Sequence, residues 1–372
     1  MENPKVLLQI TSSLESSLGG PTFLVQSSSK FMKKFFSSNK VLIFGKLDVE
    51  LDCEYIVMPT WRNNRYGLPA SIKLREIRKS IQQSNFVLVH GFYLFSTLIT
   101  VCLSNSHTIF IMPHGSMEPY QEKFRKFRKI FFRLLLRVLC FRKRIIFMVA
   151  SSREIIGVQK LFPTKDVQLA GYGISFPSKE INFRNVPEKA NFVIGSLSRL
   201  HTIKRIDLAI KCMPNLVSQG LGPRLRIAGE GNPNLLTKLK LLAISLGVES
   251  RVDFIGEVWQ ESKEQFFNEI DVLILLSDNE NFAIVVGEAV IRGIPVVVRS
   301  TVAMSDFVAE WDLGVVVVSD EIRDISAAVT NVIGNYSYYS ANCFIHRQRL
   351  GWDQVGSAWN SIMSSQIRRK IK

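Results

Sequence analysis

Ser277-Asp278-Asn279-Glu280-Asn281-Phe282-Ala283-Ile284-Val285-Val286-Gly287-Glu288-Ala289, with Gly293-Ile294-Pro295-Val296-Val297-Val298 just beyond it, decides the reading of this chain. An apolar run, Val272-Leu273-Ile274-Leu275-Leu276, leads in and has the length and composition of a buried strand. Polar loop residues follow, residues 283–291 read as a helix, and a second buried strand opens after Gly293. The unit is strand, loop, helix, strand, with Glu280 at the loop and Glu288 eight residues on. At about 100° per residue the two carboxylates would lie roughly 80° apart around a helix axis and about two turns apart along it. Both would then border one elongated ligand near the carboxyl end of a parallel sheet, where such folds bind ligands.

Upstream, Phe192-Val193-Ile194-Gly195-Ser196-Leu197 gives way to a loop carrying Arg199 and Lys204, five residues apart, before a helix that begins near residue 206. Leu225-Arg226-Ile227-Ala228-Gly229-Glu230-Gly231 is a strand entering a glycine loop. A helix over 235–246 ends at Gly247, and Val252-Asp253-Phe254-Ile255-Gly256 precedes Glu257-Val258. A lone G-x-G would be weak evidence for any nucleotide.

In this order, the Arg–Lys loop, the glycine loop and the Glu280/Glu288 pair with Gly-x-Pro-Val-Val after it resemble the GT-B glycosyltransferases of family 4. These are the retaining, nucleotide-sugar-dependent group, including members of cell-surface polysaccharide and lipopolysaccharide type. The resemblance is strong over 191–318 and loose over 1–175. It implies an α/β fold of the GT-B kind: two Rossmann-like domains facing a cleft, with a C-terminal helix returning to the first. The expected domains are an acceptor-binding one over 1–175, joined by the helix 352–372, and a donor-binding one over 188–350. A linker is expected over 175–187.

The resemblance also assigns roles. Glu280 would contact hydroxyls of the donor sugar and Glu288 the nucleotide ribose, with Asn281, Phe282 and Ala283 completing that loop. Arg199 and Lys204 would grip the diphosphate. Gly229 and the backbone at Val258 would border the nucleotide. The chemistry asks for such cations, because a departing nucleoside diphosphate develops negative charge. Arg offers a fork of donors and Lys a point charge. The plain alternative for each charged residue is a solvated surface position. Three residues depart from the family pattern: Ala283 and Arg205 stand where Gly is common, and Asp306 where many relatives have Glu. No Asp-x-Asp occurs, so neither metal nor cofactor is expected; the nucleotide sugar is a substrate.

Composition sets outer bounds. The 372 residues suffice for two domains, and 47% are hydrophobic. No apolar run approaches the ~20 residues of a membrane span. No signal peptide is apparent, and five scattered Cys without C-x-x-C spacing predict reduced thiols in a cytoplasmic setting. The net charge of +15 is uneven. Residues 1–180 hold 26 Lys and Arg against 12 Asp and Glu, and residues 181–372 hold 21 against 20. A basic half of this kind suits an anionic surface or substrate.

In that half, Val6-Leu7-Leu8-Gln9-Ile10 reads as the first strand. Gly19-Gly20-Pro21 then opens a helix over 22–36, where backbone can approach an anionic ligand. Further strands are predicted at 41–44, 55–58, 86–91, 108–112 and 145–149, and helices at 72–82 and 92–103. His90 either lines a cleft or satisfies a backbone group. His114, in Pro113-His114-Gly115, sits where many relatives place a His near the reacting sugar; the plain alternative is a turn residue. Ser151 and Glu154 read as a helix cap. On a helix over 124–138, Phe124, Phe127, Phe131, Leu135 and Val138 share one face, expected to pack inward. Lys126, Lys129, Arg133 and Arg137 share the opposite one.

The resulting reading is a retaining glycosyltransferase that passes a sugar from a nucleotide-sugar donor to a glycan or lipid-linked acceptor. It would sit on the inner face of a membrane, held there mainly by charge, with Arg368, Arg369, Lys370 and Lys372 adding to the basic half. Two other readings stay open. One is a nucleotide-sugar epimerase of the same architecture. The other is a basic lipid- or nucleic-acid-binding protein with a degenerate site, although no nucleic-acid-binding motif is present and no such partner is expected.

Overall fold

The computed structural model describes residues 5–16, 19–58, 73–104, 108–121, 126–140, 143–178, 181 and 184–368. It divides into two units, Met1–Gly173 with Trp352–Lys372, and Ile174–Gly351.

The first unit is a seven-stranded sheet built from β1 (Val6–Thr11), β2 (Ser38–Ile43), β3 (Glu54–Val57), β4 (Phe86–His90), β5 (Ile109–Met112), β6 (Ile145–Val149) and β7 (Asp166–Leu169). Every pairing is parallel, in the order β3-β2-β1-β4-β5-β6-β7. The central strands are near-continuous apolar runs, as expected of parallel strands covered on both faces. Helices α1 (Gly20–Phe31), α2 (Leu74–Gln82), α3 (Phe95–Leu103), α4 (Lys126–Cys140) and α5 (Ser152–Leu161) belong to this unit. The first expected helix is shorter than its apolar pattern, closing through a 3-10 turn at Met32–Lys34.

Helix α4 departs from the expected orientation. Its buried face is Phe132, Leu136, Leu139 and Cys140, packed against the unit core beside Phe92 and Tyr93. The face expected to point inward is in solvent instead: Phe127 is 91% exposed, Phe131 71% and Val138 75%. The helix carries two apolar stripes, and periodicity alone does not say which one the sheet takes. Phe124 and the side chain of Lys126 lie outside the described residues.

The second unit has six parallel strands: β8 (Phe192–Leu197), β9 (Pro223–Ala228), β10 (Val252–Gly256), β11 (Val272–Leu275), β12 (Val296–Arg299) and β13 (Gly314–Val317). Their order is β10-β9-β8-β11-β12-β13. This is the Rossmann arrangement, in which the chain reverses direction of travel across the sheet between β8 and β11. Its helices are α6 (Ile206–Lys211), α7 (Met213–Ser218), α8 (Pro233–Ser245), α9 (Gln260–Glu269), α10 (Ile284–Val290), α11 (Ser305–Glu310), α12 (Ile322–Gly334) and α13 (Tyr336–Leu350). The core is one contiguous cluster including Phe192, Ile194, Leu225, Ile227, Ile274 and Val329.

The stretch expected to be a linker is anchored on this second unit. Just before it, the Ile174 N–H bonds the Leu350 carbonyl at 2.8 Å, and the Ile174 side chain packs over Gly287. The Arg184 guanidinium donates to the carbonyls of Phe267, Ile270 and Arg292. The last helix, α14 (Trp352–Arg368), packs on the first unit. Trp359 Nε1 donates to Ala170 O at 3.1 Å, and the Trp352 ring lies flat under Gly173, where a Cβ would come within 2.2 Å of it. Arg369, Lys370, Lys372 and the side chain of Arg368 lie outside the described residues. Among the described residues no helix is long and apolar enough to cross a membrane.

Candidate functional site

In the second unit the loops after β8 and β11 meet at the reversal of strand order. Asp278 N–H donates to Ile203 O at 2.8 Å, which ties the two loops together. Lys204 ends a 3-10 turn, Thr202–Lys204, capped by the His201 ring nitrogen accepting from Ile203 N–H at 3.2 Å. The Lys204 ammonium forms an ion pair with the Glu280 carboxylate; the side chains are 14% and 23% exposed. Two sequence-distant motifs are thereby brought into contact.

Glu280 is not on the helix, so the angle expected between the two carboxylates does not apply. Its backbone forms a bridge with Val302, and its carbonyl accepts from Ala303 N–H at 3.0 Å. Helix α10 begins four residues later, after Ala283. Glu288 lies within α10, with the Lys263 ammonium of α9 2.5 Å from its carboxylate. Each motif carboxylate thus faces its own lysine.

Ala283 has φ 61° and Arg205 φ 49°. Both are left-handed conformations, which cost an L-residue about 1–2 kcal/mol and a glycine almost nothing. The two positions where the resemblance leads one to expect Gly are therefore positions of real backbone demand. At Arg205 the side chain does what a glycine would not. It reaches Asp320 at 2.9 Å, Asp207 at 3.2 Å and Asp278 at 3.3 Å. Arg299 pairs with both Asp278 and Asp320. Arg205, Asp278, Arg299 and Asp320 form a closed ring of alternating charge that braces the Lys204 and Glu280 loops. Asp306, the third departure, is exposed in the first turn of α11.

The remaining donor-side candidates lie at neighbouring strand ends. Gly229 has φ 127°, its N–H bonds Gly256 O at 2.6 Å, and a Cβ there would come within 1.9 Å of Ser198 O. Only a glycine lets the β9 end lie against the residue preceding Arg199. Arg199 is exposed, Val258 is buried just past β10, Phe282 and Ala283 are buried, and Asn281 is half-buried.

The first unit collects a different set. Gly19, with φ 72°, is the N-cap of α1, and Gly20 is its first residue. His90 is buried, with Nε2 2.8 Å from Gln9 Oε1 and Nδ1 3.0 Å from His114 Nε2. His114 Nδ1 is 2.6 Å from the Tyr172 hydroxyl. The chemistry of the ends fixes the direction. Gln9 Oε1 only accepts, so His90 Nε2 carries the proton and His90 Nδ1 accepts from His114 Nε2–H. His114 Nδ1 then accepts from Tyr172. Burial lowers the pKa of both rings, so both are neutral at pH 7. The reading of His90 as satisfying a backbone group is not met, since its partners are side chains. Both His114 ring nitrogens are engaged, so a bond from it to a ligand requires exchanging Tyr172 or His90 for that ligand.

Behind this turn, Glu154 is fully buried. Ser151 Oγ accepts from Glu154 N–H at 3.3 Å, as expected of the cap. The carboxylate goes further, accepting from Ala150 N–H at 3.1 Å and from Gly115 N–H at 2.5 Å. It holds the residue next to His114, and burial pushes its pKa up to about 7.

Comparison with known proteins separates the two units. Residues 177–349 match the family model described as glycosyl transferases group 1, a span inside the second unit. Whole-chain superposition reaches further. Anabaena HepE, solved with UDP and glucose, matches with a TM-score of 0.73 at 16% identity, over 97% of this chain and 100% of that one. The fold is GT-B. WaaG, a glycosyltransferase involved in lipopolysaccharide biosynthesis, shares it with a TM-score of 0.67 at 15% identity, over 96% of this chain and 99% of that one. Among curated sequences, an uncharacterized glycosyltransferase of Methanocaldococcus jannaschii is 29% identical over 165 residues, 43% of this chain and 41% of its own. A D-inositol 3-phosphate glycosyltransferase of Geodermatophilus obscurus is 26% identical over 170 residues, 44% of this chain and 38% of its own. The chain thus spans about two fifths of the length of the curated relatives it matches.

Within the GT-B fold, several residues beside the candidate site escaped the sequence reading: Lys263, Asp278, Arg299, Asp320, Tyr172 and Gln9. Their partners are far away in sequence, and no local spacing marks them.

Proposed function

We propose that the protein is a retaining glycosyltransferase that moves a sugar from a nucleotide-sugar donor, held in the second unit, to an acceptor hydroxyl received by the first. The observation that carries this reading is the Lys204–Glu280 ion pair at the strand reversal, with Glu288 beyond it on α10. Donor binding would split the pair: Lys204 turns to the diphosphate and Glu280 to sugar hydroxyls. Arg199, exposed at the end of β8, adds a second cation. As the glycosidic C–O bond breaks, the electron pair goes to the diphosphate oxygen, and cations already in place stabilise that charge without reorganising. The departing diphosphate, on the same face as the incoming hydroxyl, takes its proton, so no protein nucleophile is needed. Glu288 holds the ribose, and the backbone at Gly229 and Val258 borders the base.

HepE is bound to UDP in its solved form, which makes UDP-sugars the first donors to screen. The acceptor class that fits the basic first half is a glycan or lipid-linked hydroxyl at the cytoplasmic face of a membrane. The direct experiment incubates the protein with a panel of nucleotide sugars, with and without acceptor membranes, and follows products by NMR. Transfer with the donor's anomeric configuration kept supports the reading. Inverted product removes the retaining part. Conversion of the nucleotide sugar without any acceptor identifies an epimerase instead.

A further inference from the structure

The exposed face of α4 is an apolar surface with a basic border, built on a helix held firmly from behind. We propose that this face lies in the headgroup–acyl boundary of an anionic bilayer and inserts Phe127 and Phe131. At about 100° per residue, Phe127, Phe131, Leu134 and Val138 fall within a sector of roughly 60°, and Ile130 and Leu135 widen it to roughly 140°. All six side chains are exposed. On the same wheel Arg128 stands just beyond one edge of that sector and Arg137 beyond the other.

The opposite side of the helix is committed to the unit. Leu136 and Cys140 are buried, and the Phe132 ring packs edge-on against Phe92 and Tyr93. Lys129 donates to Gln121 O at 2.6 Å and lies over the Tyr93 ring. At the border, Arg137 is exposed and donates to Leu161 O at 2.7 Å. The outer stripe therefore cannot roll inward without unpacking the core.

A soluble surface seldom carries a patch of this kind without a partner. Apolar residues with aromatics on the outward face and basic residues at the edges are the pattern of a helix lying in the plane of a membrane interface. Charge selects the partner. The helix Lys126–Cys140 contains no acidic residue, and residues 1–180 carry a net +14 (26 minus 12). A second copy docked on the same face would bring the arginine borders of both helices together, an arrangement that repels. Anionic lipid satisfies both the border and the stripe. This places the attachment in inserted phenylalanine as well as in charge, where the sequence pattern alone favours charge.

The inference goes beyond the donor chemistry and does not depend on it. The test is binding of the full chain to vesicles of phosphatidylcholine alone and of phosphatidylcholine with an equal part of phosphatidylglycerol. A Phe127→Trp variant should show a blue-shifted emission only with the anionic vesicles, quenched by brominated acyl chains. Phe127→Ser with Phe131→Ser should weaken anionic-vesicle binding about a hundredfold, roughly tenfold per buried ring. Because both rings are exposed in the unbound protein, the doubly substituted chain should keep its melting temperature. Arg128→Gln with Arg137→Gln should weaken binding about fivefold per charge. An unshifted emission from the Phe127→Trp variant, undiminished binding of the double Ser variant, or equal binding to neutral vesicles would overturn the proposal. So would a dimer that the Ser substitutions dissociate in the absence of any vesicle binding. No readout here involves a donor, so failure leaves the donor-site reading standing, and loss of donor binding leaves this one standing.

Discussion

Replacing Lys204 by methionine keeps the length of the side chain and removes its charge. In the structure this strips the Glu280 carboxylate of its cation while leaving the carboxylate 23% exposed. A fully buried orphaned charge costs about 3–5 kcal/mol, and an exposed pair is worth about 0.2–1 kcal/mol. With side chains 14% and 23% exposed, the loss of folding stability should lie between, at about 1–2 kcal/mol. The catalytic loss should be larger, because the charge on the leaving diphosphate is greatest in the transition state. Removing one such preorganised contact costs about 2–4 kcal/mol, or ~30- to ~1000-fold in rate. Glu280→Gln in the same background should restore most of the stability but none of the rate. Urea unfolding gives the first quantity, and release of nucleoside diphosphate in the presence of acceptor gives the second. Turnover of Lys204→Met within about threefold of the parent, a difference of under ~1 kcal/mol, would refute the role of Lys204 in leaving-group stabilisation.

Arg205→Gly removes three ion pairs from the brace but relieves a left-handed arginine, so its stability should stay within about 1 kcal/mol of the parent. Its donor KM should nonetheless rise about tenfold as the Lys204 loop loosens, and Arg205→Lys should not restore it, lacking the forked contacts. An unchanged KM, measured alongside the melting curve, removes the bracing role. Glu154 gives a pH prediction: its folded pKa of about 7 lies above its ordinary 4.5. The folded state therefore holds the proton more tightly, and that contribution is fully present below pH 4.5 and lost as pH rises through 7. The loss is on the order of 3 kcal/mol. Stability profiles from about pH 4 to 8 should show this fall in the parent chain and not in Glu154→Gln. Parallel profiles would show that Glu154 does not carry it.

Much of the second unit was legible because its signals are local. The run 272–276, the Ala283–Ile284 start of α10 and the strand after Gly293 sit next to one another, and apolar continuity with Gly punctuation marks them. The loop residues Arg199 and Lys204 were visible for the same reason, in the loop that ends a buried strand. What sequence did not show is how strands bring distant loops together. Asp320 joins Arg205 across 115 residues, and Lys263 meets Glu288 from another helix. Helix α13 escaped because its buried residues, Tyr336, Ser340, Cys343 and Leu350, mix polar and apolar types and leave no apolar stripe. Helix α4 shows the opposite difficulty. It has two stripes, and only the sheet it packs on selects Phe132 and Leu136 over Phe127 and Phe131. His90 and His114 looked like independent candidates because nothing local announces Gln9 and Tyr172 at either end of their chain.

The central claim is that the second unit binds a nucleotide sugar along the line from Lys204 and Glu280 to Glu288, and titration calorimetry tests it most directly. The protein, Glu280→Ala and Glu288→Ala are each titrated with UDP and with the UDP-sugar that binds the parent best. The account predicts that Glu288→Ala weakens both ligands alike, through the ribose, whereas Glu280→Ala weakens only the intact sugar nucleotide. Equal losses for both ligands in both variants, or binding that neither substitution changes, would contradict it.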